Sequence, residues 1–136
     1  MKKFAATLLT TALACAEKVS VEIYIESLCP DCQNIIEGSV YDAFNTEGFL
    51  NMADVTFIPY GNAHEYPSGD SWTFTCQHGN NECVYNEIES CANKYITDDF
   101  QRFDFTYCVE STDSKKNLSF QDVIDLCTVN LNETET

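Results

Sequence analysis

The sequence predicts an α/β chain, and three observations carry that reading. A run with period-two alternation, Val19-Ser20-Val21-Glu22-Ile23-Tyr24-Ile25, is followed by an apolar stripe at helical spacing and then by a second β-branched run, Val55-Thr56-Phe57-Ile58. Two cysteines, Cys29 and Cys32, stand where the first strand passes into the helix. The remainder of the chain is dominated by helical spacing.

The first strand is β-branched at four of its seven positions, which suits a pleated, half-buried surface. After the cysteines, Ile36, Val40 and Phe44 recur at every fourth position, with Ile35 and Ala43 widening the stripe toward one buried face. Asn45-Thr46-Glu47-Gly48 breaks that pattern, and Pro59 stops the second strand. Strand, helix and strand make a βαβ unit. The stretch from Gly61 to Asp70, with Asn62, Pro67 and Gly69, reads as a surface loop, and helices are expected from there to the end. Three are predicted. Val84, Ile88, Cys91 and Tyr95 mark the first, Phe100, Phe103 and Tyr107 the second, and Phe120, Val123, Ile124 and Cys127 the third. Ser119 with Asp122 resembles a capping box and sets the start of the last helix. No internal repeat is visible, and residues 130–136 read as a disordered tail.

The chain has 136 residues, one domain's worth. Lys2 and Lys3 precede an apolar stretch from Phe4 to Leu13 and then Ala14-Cys15-Ala16, the form of a secretory signal peptide cleaved after Ala16. Residues 1–16 are therefore assigned to a signal peptide and 17–129 to the domain. The apolar stretch is shorter than the about 20 residues a membrane span needs, and no other run approaches that length. Removing Lys2 and Lys3 moves the formal charge from -15 to -17, which excludes nucleic acid as a partner. So acidic a surface is compatible with an acidic compartment, where protonation neutralises part of the charge, and equally with secretion.

Cys15 leaves with the signal, and Cys29, Cys32, Cys76, Cys83, Cys91, Cys108 and Cys127 remain. An oxidising pathway makes them disulfide candidates rather than zinc ligands, so no metal site is assigned, including the set Cys76, His78, Cys83 and Cys91 that would qualify by ligand type. Their number is odd, and the connectivity stays open. Two sequons, at Asn117 and Asn132, are candidate N-glycosylation sites that agree with secretory passage.

A C-x-x-C pair alone can be a short structural disulfide. At a strand-to-helix junction it matches a thioredoxin-like active site instead: Cys29 at the helix start is the nucleophile, favoured as thiolate by free N–H groups and the macrodipole, and shielded Cys32 is the resolving thiol. Asp31 is a modulating residue, since a carboxylate beside Cys29 disfavours its thiolate and makes the couple more reducing.

Between Cys76 and Cys91 the chain reads CQHGNNECVYNEIESC. The pattern C-Q-H-G-x-x-E-C-x-x-N-x-x-x-x-C, matched at Cys76, Gln77, His78, Gly79, Glu82, Cys83, Asn86 and Cys91, resembles the signature of the gamma-interferon-inducible lysosomal thiol reductase family. Ile58-Pro59-Tyr60-Gly61-Asn62-Ala63 is similar to the family's segment after its second strand, and the resemblance covers Val19 to Cys127. It implies a thioredoxin-like βαβ unit with a helical insertion, in an enzyme that reduces disulfides of proteins delivered to lysosomes. It also implies an external small-molecule thiol reductant rather than a bound cofactor. The signature residues are assigned to architecture, with cysteines that can staple a helix to the preceding loop. His78 is read first as a capping or hydrogen-bonding histidine and second as a thiolate-stabilising imidazolium at acid pH.

Members of that family continue beyond Cys127 with further strands and a cis-proline loop, whereas Pro30, Pro59 and Pro67 all lie early here. The expectation is a fold whose C-terminal strands are missing, apparently by truncation. Two readings of function follow: a thiol-disulfide oxidoreductase of an endosomal, lysosomal or secreted setting, or a non-catalytic secreted disulfide-rich binding protein or inactive paralogue.

Overall fold

Alternation in two short runs builds a parallel pair. In the computed structural model, which describes residues 17–116, 118–129 and 131, β1 (Val19–Ile25) lies beside β2 (Ala53–Pro59) in register from Val19 opposite Ala53 to Ile25 opposite Pro59. Ile25, Ala53, Val55 and Phe57 are buried on one face, with Val21 and Ile23 packed against them. Ser20, Glu22, Tyr24, Asp54 and Thr56 face solvent on the other. Parallel sheets are normally covered on both faces, so this one is half dressed. The outer edge of β2 is closed by side chains: the Asn93 amide donates to the Phe57 carbonyl at 2.5 Å, and the Arg102 guanidinium to that of Val55 at 3.3 Å.

The crossover runs through α1 (Pro30–Ile35), a π-helical turn (Ile36–Val40), α2 (Tyr41–Phe44) and α3 (Phe49–Met52). Pro30 occupies the first helical position, where a missing N–H costs nothing. Ile36, Val40 and Phe44 are buried as their spacing predicts, and Ala43 is half-buried. Ile35 is corrected: it is 54 % exposed, because the stripe continues from Ile36 through the widened π turn and leaves its predecessor outside. Phe103 completes this first core by stacking on Phe44 with ring centroids 4.1 Å apart.

The stretch expected to be a surface loop is instead half of a β-hairpin, β3 (His64–Ser68) paired antiparallel with β4 (Ser71–Thr75). Gly69, at φ +62°, and Asp70 form its two-residue turn. Pro67 and the turn residues mask the strand signal of Tyr66 and of Trp72-Thr73-Phe74-Thr75. Every residue of both strands is exposed.

Three helices follow as predicted: α4 (Asn80–Tyr95), α5 (Asp99–Lys116) and α6 (Phe120–Cys127). The capping box at Ser119 is present, with the Ser119 hydroxyl accepting from the Asp122 N–H and the Asp122 carboxylate accepting from the Ser119 N–H. Helix α5 joins two cores, sending Phe103 and Tyr107 into the first and Phe105 and Val109 into a second with Tyr85, Ala92, Ile96, Val123 and Cys127. A disulfide, Cys108–Cys127, ties α5 to α6, and Leu131 packs against that second core.

Helix α4 turns an unexpected face inward. Val84, Cys91 and Tyr95 of the apolar stripe are exposed, while Glu82, Tyr85, Asn86, Glu89 and Ala92 are buried. A helix that buries three polar residues does so because they have partners.

Candidate active site around Cys29 and Cys32

Those partners belong to the turn that carries the cysteines. As β1 ends, Glu26, Ser27 and Leu28 bend the chain so that the Cys29 N–H donates to the Glu26 carbonyl at 3.2 Å. Leu28 takes φ 66°, the left-handed region that a non-glycine residue adopts at a cost of about 1–3 kcal/mol unless its surroundings compel it. Two bonds from α4 fasten the turn. The Ser27 N–H donates to Asn86 Oδ1 at 2.9 Å, and the Ser27 hydroxyl to Glu89 Oε2 at 2.7 Å.

Cys29 is the N-cap of α1 and Cys32 lies one turn on; both are half-buried and neither is in a disulfide. The Glu26 N–H donates to Cys32 Sγ at 3.4 Å. Burial pushes the Cys32 thiol up to about 12; the Glu26 N–H opposes this, while the Cys29 side chain and the Glu110 carboxylate add to it. Cys32 is therefore held as a thiol through the acidic and neutral range. Asp31, in the first turn of α1, is exposed.

The sixteen-residue motif wraps the same turn. Cys76 and Cys83 form a disulfide that staples the exit of β4 to the first turn of α4, leaving two fewer sulfurs for any metal. Gln77 accepts from the Asn62 amide at 3.0 Å. Gly79, at φ +95°, opens α4 in a conformation that suits glycine. His78 bends back so that its backbone N–H and its Nδ1 both meet Glu82 Oε2, at 2.6 and 2.5 Å, and Nδ1 also lies 3.6 Å from Glu26 Oε2. A ring nitrogen of His78, the sulfur of Cys29 and a carboxylate oxygen of Glu26 lie within 4.8 Å of one another. Among the described residues this is the grouping whose donor atoms could hold a metal ion.

Glu26 is itself held by glycine chemistry. Its Oε1 accepts from the Asn62 N–H at 2.5 Å. A Cβ built on Gly61, which sits at φ +52°, would overlap its side chain. Glu26, Glu82, Glu89 and Glu110 are all at least 96 % buried, and among the described residues Glu26 Oε2 and Glu82 Oε1 have no hydrogen-bond partner. Burying four carboxyl groups around two thiols is unfavourable unless hydrogen bonds or neighbouring charges compensate it.

The structure thus gathers Cys29, Cys32, Gln77, His78, Glu82 and Asn86, with Cys76, Gly79 and Cys83 shaping the motif. Cys91 stands apart, exposed and unpaired, and Asn117 and Asn132 lie outside the described residues. Sequence reading missed Glu26, Ser27, Glu89 and Glu110. The first two were legible as a polar pair between the strand and Cys29. Glu89 and Glu110 carry no local signal, since each is one acidic residue in a helix rich in them.

Among the described residues no helix is long and apolar enough to cross a membrane. Residues 20–131 match the family model of the gamma interferon inducible lysosomal thiol reductase (GILT). GILT-like protein 1 of Drosophila melanogaster is 38 % identical over 99 residues, which are 73 % of this chain and 39 % of that protein. The gamma-interferon-responsive lysosomal thiol protein of Arabidopsis thaliana is 38 % identical over 94 residues, 69 % of this chain and 39 % of that protein. The mouse gamma-interferon-inducible lysosomal thiol reductase is 42 % identical over 74 residues, 54 % of this chain and 29 % of the mouse protein. The chain spans about two fifths of the length of the first two relatives. A match over most of its residues, centred on a motif that folds around the cysteine pair, makes this chain a member of the GILT family.

Proposed function

We propose that this chain is a thiol-disulfide oxidoreductase that reduces protein disulfides in an acidic endosomal or lysosomal setting, or a secreted one. The observation that carries this reading is the asymmetric, unbridged pair at the strand-to-helix junction, with Cys32 held as a thiol beside Cys29. Cys29 attacks a substrate disulfide and forms a mixed disulfide, releasing one substrate thiol. Cys32 then gives up its proton and attacks the Cys29 sulfur, the Cys29–Cys32 disulfide closes, and the second substrate thiol leaves. Substrate gains two electrons and two protons, and a low-molecular-weight thiol restores the pair. The partners are disulfide-bonded proteins and that reductant, with no cofactor. Asp31 tunes the couple: Asp31→Asn makes the measured potential more oxidising, and an unchanged or more negative value removes Asp31 from the mechanism.

The test is insulin reduction at about pH 4.5, near the ordinary carboxylate range, by the recombinant chain beside Cys29→Ser. Turnover by the wild type alone supports the reading; rates no higher than the variant's overturn it. A second reading, a disulfide-rich binding protein without turnover, draws on the exposed aromatic residues Tyr66, Trp72 and Phe74 of the hairpin.

A further inference from the structure

We propose that His78, clamped by Glu82 and faced by Glu26, is the proton partner of Cys29. This rests on the reductase reading above and adds the group that makes the nucleophile. Glu82 Oε2 accepts the backbone N–H of His78 and lies 2.5 Å from its Nδ1, which fixes the ring. The ring and Cys29 Sγ are already neighbours, within 4.8 Å, and such contacts tighten when substrate is bound.

The step balances simply. Cys29 S–H loses its proton to His78, the resulting thiolate attacks the substrate disulfide, and the departing substrate thiolate takes that proton back. Between those events an imidazolium stands against Glu82 on α4 and Glu26 on the β1–α1 turn. Both carboxylates are buried, so their fields are weakly screened, and each carries an oxygen without a hydrogen-bond partner among the described residues. The other titratable groups at this turn among the described residues include Cys32 on α1, Glu110 on α5, which acts on Cys32, and Glu89 on α4, bonded to Ser27; Asp31, in the first turn of α1, is exposed. A purely structural His78 would cap α4 and leave Cys29 indifferent to its ionisation.

The test is site-resolved alkylation of the reduced chain by iodoacetamide between about pH 4 and 9, read by mass spectrometry, with exposed Cys91 as internal reference. In His78→Gln the alkylation of Cys29 near pH 6 falls at least about tenfold while Cys91 is unaffected. Glu82→Gln gives a smaller loss, and His78→Lys recovers part of the rate by returning a cation. A folded His78→Gln whose Cys29 keeps the wild-type rate and pH profile overturns the proposal. Should that variant fail to fold, the wild-type chain still decides: its two histidines, His64 and His78, are followed by NMR before and after Cys29 is alkylated. A shifted His78 titration with an unmoved His64 supports the coupling, and an unmoved His78 overturns it. Alkylation requires no turnover, so absence of insulin reduction with His78-dependent alkylation overturns the reductase reading and leaves this inference standing.

Discussion

The two sides of the βαβ unit are built from opposite chemistry. On one, Ile36, Val40, Phe44, Val55, Phe57 and Phe103 close an apolar core. On the other, α4 meets the cysteine turn through Ser27, Asn86, Glu89, Glu82 and His78, joined by hydrogen bonds. Dispersion and burial tolerate substitutions of similar volume, whereas a buried polar network fixes one geometry and is intolerant of a lost partner. The first side holds the fold and the second aims the thiols.

The largest way to break that contrast is Phe103→Ala. It removes the ring stacked on Phe44 and costs about 3–5 kcal/mol by large-to-small core estimates, read as a loss of denaturant midpoint with both sides failing together. Glu89→Ala leaves the Ser27 hydroxyl without its acceptor and costs about 1–3 kcal/mol; Glu89→Gln, which keeps an acceptor oxygen, costs less. Gly61→Ala forces a left-handed alanine against the Glu26 side chain, for about 1–2 kcal/mol from the backbone alone, and displaces Glu26 from Asn62, seen as a lowered melting temperature.

Cys32 comes last, with an effect confined to alkaline pH. Its folded value near 12 stands above the ordinary 9.0, so the stabilisation from keeping it neutral is whole below about 9 and is lost as pH rises through about 12. The reduced chain should lose midpoint over that window with a slope that Cys32→Ser removes. A slope retained in that variant places the alkaline loss elsewhere.

Much of the apolar side was legible because its periods are strong: β1, β2 and the Ile36-Val40-Phe44 row follow from spacing alone. Ile35 misled because a π turn shifts which residue meets the core, and nothing local marks that turn. The hairpin was masked by Pro67 and by the polar residues between its strands, although Gly69-Asp70 between Tyr66 and Trp72 is a two-residue turn signal. The polar side was harder to read for a physical reason. Val84, Cys91 and Tyr95 of the apolar stripe of α4 point outward and Glu82 and Glu89 inward, so a rule that assigns hydrophobic residues to the core selects the wrong residues there. What could be read was the motif itself, Cys76 to Cys91, whose residue types announced a constellation before any geometry showed where it gathers.

The side chains that close β2 also give the sheet a direction. Asn93 and Arg102 occupy carbonyls on its far edge, while on the β1 side Val19 and Tyr24 are each 66 % exposed. β1 forms the other edge of this sheet among the described residues, and a strand added there would run beside the segment that ends in Glu26 and Cys29.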